Sequence, residues 1–158
     1  PLSYNAFKHY YPNKFEVFHY TLLLRDLIKE GKLNISKEFK AKVTYHDPCL
    51  LGRHNREYEA PRELLNAIPG IELIEIERNK ENAFCCGGGS GNFYIDSFGG
   101  GELSPARIRV REAYQTGASI LAVACPICLT MLNDAVKGEN LEEKLIIKDI
   151  SEILRELL

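Results

Sequence analysis

Along the chain, apolar runs rich in β-branched residues alternate with stretches whose apolar residues recur at helical spacing, and each change of period carries a start or stop signal. Val43-Thr44-Tyr45-His46 reads as a strand. Pro61 through Ile68 reads as a helix, with the proline in its first turn and Pro69-Gly70 closing it. Ile71 to Ile76 is the next strand, and a glycine-rich loop then runs from Cys85 to Gly101. Ser104-Pro105 supply an N-cap and first position for a helix ending at Gly117. Ile120 to Ala124 is a third strand, Pro126 to Val136 a helix closed by Gly138, Leu145-Ile146-Ile147 a fourth strand and Ile150 to Leu158 a last helix. This succession predicts an α/β fold, a parallel sheet with flanking helices.

The N-terminal stretch echoes the C-terminal one. Laying Pro1-Leu2-Ser3-Tyr4 on Pro126-Ile127-Cys128-Leu129 brings helix onto helix, and Val17-Phe18-His19-Tyr20 falls on Ile146-Ile147-Lys148-Asp149. With one further residue of slip, Arg25-Asp26-Leu27 meets Arg155-Glu156-Leu157. We read residues 1–33 as the tail of a preceding, truncated repeat and 34–158 as one complete copy. Ser3 then stands where Cys128 stands, so the missing copy would lack a thiol. A start at Pro1-Leu2, without methionine or leader, fits a piece excised from a longer polypeptide.

Composition narrows the class. The chain has 158 residues, 45% hydrophobic and 27% charged, ordinary values for a globular domain. A net charge of −2, with basic residues spread along the chain, gives no electrostatic footprint for nucleic acid. The longest apolar stretch, Ile120 to Leu132, is broken by Pro126 and falls short of the ~20 residues a bilayer requires. A cytoplasmic location is expected, with any membrane association made through a partner subunit.

The five cysteines carry the chemistry. An odd number that includes the adjacent pair Cys85-Cys86 is awkward for a disulfide framework and suits thiols serving a metal. Each group follows a strand: Cys49 after the first, Cys85-Cys86 after the second, Cys125 and Cys128 after the third. In a parallel sheet those loops open onto one edge, where cysteines far apart in sequence can meet. Cys125-Pro126-Ile127-Cys128 also opens a helix, whose free N–H groups and dipole favour thiolate. Zinc needs only four ligands and would leave one cysteine idle, whereas five thiolates suit a multi-iron cluster. A thioredoxin-like dithiol at Cys125 and Cys128 is a further reading, opposed by Cys49 and the double cysteine.

His46-Asp47-Pro48-Cys49, Leu51-Gly52-Arg53, Tyr58-Glu59-Ala60-Pro61-Arg62, Cys85-Cys86-Gly87-Gly88-Gly89 and Cys125-Pro126-Ile127-Cys128 together span nearly the whole chain. In these motifs the sequence resembles the cysteine-rich CCG domain of the heterodisulfide reductase family, in its B-type and D-type subunits. That family includes related membrane-complex subunits of sulfate reducers and iron–sulfur subunits of glycolate, lactate and glycerol-3-phosphate oxidising systems. The resemblance implies a Rossmann-like domain with a non-cubane [4Fe–4S] cluster whose ligands match Cys49, Cys85, Cys86, Cys125 and Cys128, and tandem copies of the domain. It also implies a disulfide reductase, or alternatively an electron-transfer subunit that touches no substrate. A structural zinc domain is the third alternative, and zinc is an expected occupant after purification in air.

Around the cysteines, Gly87, Gly88 and Gly89 let backbone approach a bulky inorganic core and offer N–H groups to its sulfides. Phe93, Tyr94, Ile95 and Phe98 are expected to cover the cluster or to meet a neighbouring domain. His46 and His54 are candidate proton donors for reductive disulfide cleavage, since an imidazole titrates near neutrality. Arg53 is the candidate cation, whereas Arg107, Arg109 and Arg111 have the spacing of a solvated helix face. The glycine-rich run lacks the Gly-x-Gly-x-x-Gly fingerprint of dinucleotide binding. Electrons are therefore expected from a ferredoxin-type cluster segment in the parent chain or from a membrane haem or quinone-reactive subunit.

Overall fold

The computed structural model describes residues 1–11, 16–89, 91–95, 97 and 100–158. The β-branched runs become strands β1 (Ala41–Tyr45), β2 (Ile71–Leu73), β3 (Ile120–Val123) and β4 (Ile146–Asp149), lying in the order β2-β1-β3-β4. Every neighbouring pair is parallel, with Val43 opposite both Leu73 and Ile120, and Ile120 opposite Ile146. The fold is therefore α/β, as the sequence predicts. From β1 the chain moves outward to β2 and then crosses back to β3. It reverses direction between β1 and β3, the switch point at which open α/β sheets leave a crevice beyond the strand carboxyl ends.

Helices α1 (Leu2–Tyr10), α2 (Tyr20–Lys29), α3 (Glu59–Asn66), α4 (Asn92–Ile95), α5 (Pro105–Gln115), α6 (Pro126–Gly138) and α7 (Ile150–Arg155) complete the chain. The unbroken apolar run of β3 is explained by burial on both faces. Ile120 and Ala122 join Val43, Tyr45, Leu64, Leu65, Ile150 and Ile153 in one core. Leu121 and Val123 join Val110, Ala113, Leu132 and Val136 in the other.

Several boundaries differ from the sequence reading. The ladder of β2 stops at Leu73 rather than Ile76. Helix α6 runs through Gly138, and the left-handed residue beyond it is Asn140 (φ 55°), a conformation asparagine tolerates. Ser104 takes the N-cap position of α5 but makes no side-chain capping bond. Asp149 does cap α7: it accepts from the Ser151 N–H while Glu152 accepts from the Asp149 N–H, a capping box.

The N-terminal helices close one face of the sheet. Tyr4 is part of the first core, and Tyr20, Leu22, Leu24 and Ile28 pack against it. Val17-Phe18-His19-Tyr20, which the overlay lays on β4, joins no ladder: residues 17–19 are not strand, and Tyr20 begins α2. Tyr20, which the overlay lays on Asp149, donates its hydroxyl to Asp149 Oδ1 at 2.7 Å. Among the described residues no helix is long and apolar enough to cross a membrane.

His19 is buried, with Nδ1 2.8 Å from Thr21 Oγ1 and its ring against Tyr4 and Tyr20. Burial, more than the charges around it, lowers its pKa to about 4. The unfolded chain therefore takes up a proton below about pH 6.5 that the fold refuses. Stability from this group is complete above that pH and is lost as pH falls toward 4, by roughly 2–3 kcal/mol. Urea midpoints measured across that window should decline, and His19→Asn should flatten the decline. An unchanged slope would mean that His19 is not buried as a neutral ring.

Candidate metal centre

The parallel sheet delivers all five cysteines to one place. Cys49 lies in the turn after β1, Cys85-Cys86 in the segment that follows β2, Cys125 at the N-cap of α6 and Cys128 in its first turn. They line a single cavity of about 60 Å³ together with Pro48, Leu50, Gly89 and Ile127. A hollow of about 250 Å³ beside Arg107 and Asp134 is larger but contains none of them. Cys86, Cys125 and Cys128 are buried, while Cys49 and Cys85 are partly exposed, so the cavity has a closed end and an open edge. All five are free thiols, and the Cys128 thiol donates to Cys86 Sγ at 3.3 Å.

These thiols do not share one acidity. The hydrogen bond between Cys49 and Cys85 pushes Cys85 down and Cys49 up, so the pair shares a proton. The Gly87 N–H also donates to Cys85 Sγ, at 3.3 Å. Cys125 falls to about 6, chiefly through its interaction with the neighbouring Cys128 thiol, and also because the N–H groups of Ile127 and Cys128, at the start of α6, point at its sulfur. Thiolate is thus favoured at both ends of the sulfur cluster, which is what a cationic metal or an iron–sulfur core requires of its ligands.

The glycines act through close approach. A side chain at Gly88 would meet Ile127 Cγ2 at 2.5 Å and Met131 Cγ at 2.9 Å, so only glycine lets this loop lie on α6. Gly87 has φ 79°, and its carbonyl accepts from Asn92 Nδ2 at 2.8 Å, which pins the loop. Gly89 has nothing within 4 Å of where a Cβ would be and lines the cysteine cavity. Of the two expectations for Phe93, Tyr94, Ile95 and Phe98, covering the cluster or meeting a neighbouring domain, the first is corrected for Phe93, Tyr94 and Ile95. They lie on the short helix α4 at 36%, 85% and 71% exposure and do not line the cavity. Pro48, Leu50 and Ile127 supply its apolar wall instead. Phe98 lies outside the described residues.

Of the candidate histidines, only His46 belongs to the centre. It follows β1, is 1% exposed, and has a ring nitrogen within 4.8 Å of the Cys86 and Cys128 sulfurs. Its Nδ1 accepts from Arg109 Nε at 3.1 Å, and its Nε2 is buried without a partner among the described residues. Burial first, then the Arg109 charge, lower its pKa to about 3, so the ring is neutral at pH 7. His54 is exposed on the Cys49 turn. Arg53 donates from Nη2 to Ala83 O at 2.8 Å and so ties the Cys49 turn to the segment leading into Cys85.

The sequence reading missed two arginines. Arg109, expected on a solvated face, is fully buried, and it also donates to Arg78 O at 2.7 Å and Glu112 Oε2 at 3.1 Å. The signal was its place on the stripe Ala106, Val110 and Ala113, the buried side of α5. Arg62 holds both Asp47 oxygens at 2.8 and 2.9 Å and both Glu75 oxygens at 2.6 and 2.9 Å, anchoring the residue two places before Cys49. Arg107 and Arg111 do fit the surface reading, both reaching Glu139.

The donor set fits an iron–sulfur core: five sulfurs within an apolar wall, beside a buried ring nitrogen without a partner among the described residues. Comparison with known proteins points the same way. The family model described as "Cysteine-rich domain" (CCG) matches residues 43–133. The chain is 40% identical over 98% of its length to the probable iron-sulfur-binding oxidoreductase FadF of Bacillus subtilis, of which it covers 22%. It is likewise 40% identical over 98% of its length to the EtfAB:quinone oxidoreductase of Syntrophomonas wolfei, again covering 22%. Over 91% of its length it is 40% identical to the D-type subunit of the dihydromethanophenazine:CoB–CoM heterodisulfide reductase of Methanosarcina barkeri, covering 34% of that protein. No solved structure matches the chain significantly. The chain thus spans between a fifth and about a third of the length of these relatives.

Proposed function

The chain belongs to the CCG cysteine-rich domain family, a domain type of iron–sulfur oxidoreductases, and from that premise we propose that its five cysteines hold one non-cubane [4Fe–4S] cluster at which a disulfide is reduced. The observation that carries this reading is the asymmetry of the cavity. Three buried cysteines form its floor, while Cys49 and Cys85 are partly exposed at an edge that a disulfide can reach.

The bound cluster would supply electrons one at a time, and the disulfide takes up two electrons and two protons to leave as two thiols. The protein's own part is positional and electrostatic. Pro48, Leu50 and Ile127 keep water from the core. Arg53 holds the two cysteine segments together. His54, exposed on the Cys49 turn, is our candidate for bringing protons from solvent to the open edge. The electron donor would be a ferredoxin-type segment of the parent protein or a membrane partner.

A second reading is supported by the similarity to an EtfAB:quinone oxidoreductase: the same cluster relays electrons and touches no substrate. One experiment separates them. Protein reconstituted anaerobically with iron and sulfide is mixed with reduced viologen and a small disulfide. Disulfide turnover that requires the cluster, and that NADH does not drive, is the expected result. A cluster that viologen reduces without any turnover would select the relay. Equal turnover by the metal-free protein would leave Cys125 and Cys128 as a plain dithiol and remove the cluster mechanism.

A further inference from the structure

His46 sits where a metal ligand would sit, with a ring nitrogen within 4.8 Å of the Cys86 and Cys128 sulfurs, and a mononuclear Cys2His site is the simplest interpretation. The hydrogen bonding excludes it. A neutral imidazole has one lone pair and one N–H, on opposite ring nitrogens. The lone pair on Nδ1 is occupied, because Arg109 donates its Nε–H to it at 3.1 Å and a guanidinium does not give up its protons. The hydrogen must therefore be on Nε2, and neither nitrogen has a lone pair free for a metal. An imidazolium is excluded by the same contact, since Nδ1–H would face Arg109 Nε–H.

This arrangement is the reverse of the usual one. A metal-bound histidine donates its second N–H to a carboxylate or carbonyl, whereas here the second nitrogen accepts from a cation. Arg109 is itself held in register by Arg78 O and Glu112, and its side chain is fully buried, so it has little freedom to rotate away. The result is one fixed tautomer with one buried donor, Nε2–H, that has no hydrogen-bond partner among the described residues. An unmade hydrogen bond at a fully buried N–H is costly, so a sulfur acceptor nearby relieves a real penalty.

Building on the cluster reading above, we propose that His46 is not a ligand but a fixed hydrogen-bond donor to sulfur on the closed side of the centre, at Cys86 or Cys128, and that Arg109 is the positioning residue that sets its tautomer. An N–H donated to sulfur stabilises the more negative, reduced state of the cluster and so raises its reduction potential. The role of His46 is then to tune the centre.

The first test needs no metal. In the metal-free protein labelled with 15N, long-range 1H–15N correlation should show His46 protonated on Nε2 and bare on Nδ1 throughout the neutral range, with a 15N–15N coupling across the bond from Arg109 Nε. A ring protonated on Nδ1, or one that titrates near neutrality, would overturn the proposal. The second test uses the reconstituted protein: His46→Leu should keep its iron and sulfide content but show a more negative midpoint potential, which His46→Gln partly restores. Loss of iron would make His46 a ligand, and an unchanged midpoint would make it a packing residue; either overturns the proposal. Failure of the unsubstituted protein to take up iron and sulfide would instead sink the cluster reading, while the tautomer experiment still decides what Arg109 does to His46.

Discussion

Replacing Arg62 with alanine is expected to destabilise the metal-free domain by about 3–5 kcal/mol, the loss typical when one partner of a buried ion pair is removed. Arg62 lies on the buried side of α3, and its guanidinium satisfies Asp47, Glu75 and the Tyr58 carbonyl at once. Without it, Asp47 would remain as a carboxylate with 2% side-chain exposure, a remaining protein donor being the Lys80 N–H at 2.8 Å. The cost is the unpaired charge more than the missing attraction, so the double variant Asp47→Asn/Arg62→Met should lose much less than the sum of its single changes. Because Asp47 leads directly into Pro48 and Cys49, Arg62→Ala should also reduce iron uptake. Urea denaturation of the single and double variants measures the effect, and a loss below about 1 kcal/mol for Arg62→Ala would show that the network does not share its charge as the geometry implies.

The second large effect is expected at the cysteines. Serine in place of Cys86, Cys125 or Cys128 should abolish most of the iron and acid-labile sulfide retained after anaerobic reconstitution, since these three form the buried floor and no exposed thiol can replace them. Serine at Cys49 or Cys85, on the open edge, should leave a cluster that forms with an altered spectrum and is lost more quickly, so that less iron and sulfide is retained. If two or more of the five single variants keep full iron and sulfide with an unchanged spectrum, the five-ligand site is wrong. Protein purified in air is expected to carry zinc or nothing, because converging thiolates capture zinc and exposed ones oxidise. Stoichiometric zinc without sulfide, after strictly anaerobic preparation, would select the structural alternative.

By itself, the sequence determined the alternation of strands and helices and the convergence of the cysteines. Both follow from local physics: residues such as Val43, Ile120 and Ile146 declare a strand by their period and branching, and parallel strands must send their carboxyl ends the same way. Once Cys49, Cys85-Cys86 and Cys125 each follow such a strand, their meeting at one edge is a consequence of direction, not of distance along the chain. The motif Cys125-Pro126-Ile127-Cys128 was legible for the same reason, as a helix start with thiols over free N–H groups.

What only the tertiary structure decided is which polar groups face one another. Arg109 and His46 are 63 residues apart, and Arg62 and Asp47 are 15 apart on different elements. An arginine reads as solvated on its own helix because the pattern of that helix carries no record of what lies across from it. The α5 stripe of Ala106, Val110 and Ala113 marks a buried side, but the imidazole that meets the guanidinium there stands at the end of β1. The outward placement of Phe93, Tyr94 and Ile95 was hidden likewise, since an apolar run in a loop carries no record of whether the space beside the cysteines is already filled, here by Pro48, Leu50 and Ile127. Strand directions and periods are set residue by residue, while burial of a charge, the tautomer of a ring and the lining of a cavity depend on pairs of groups that meet only when the sheet assembles.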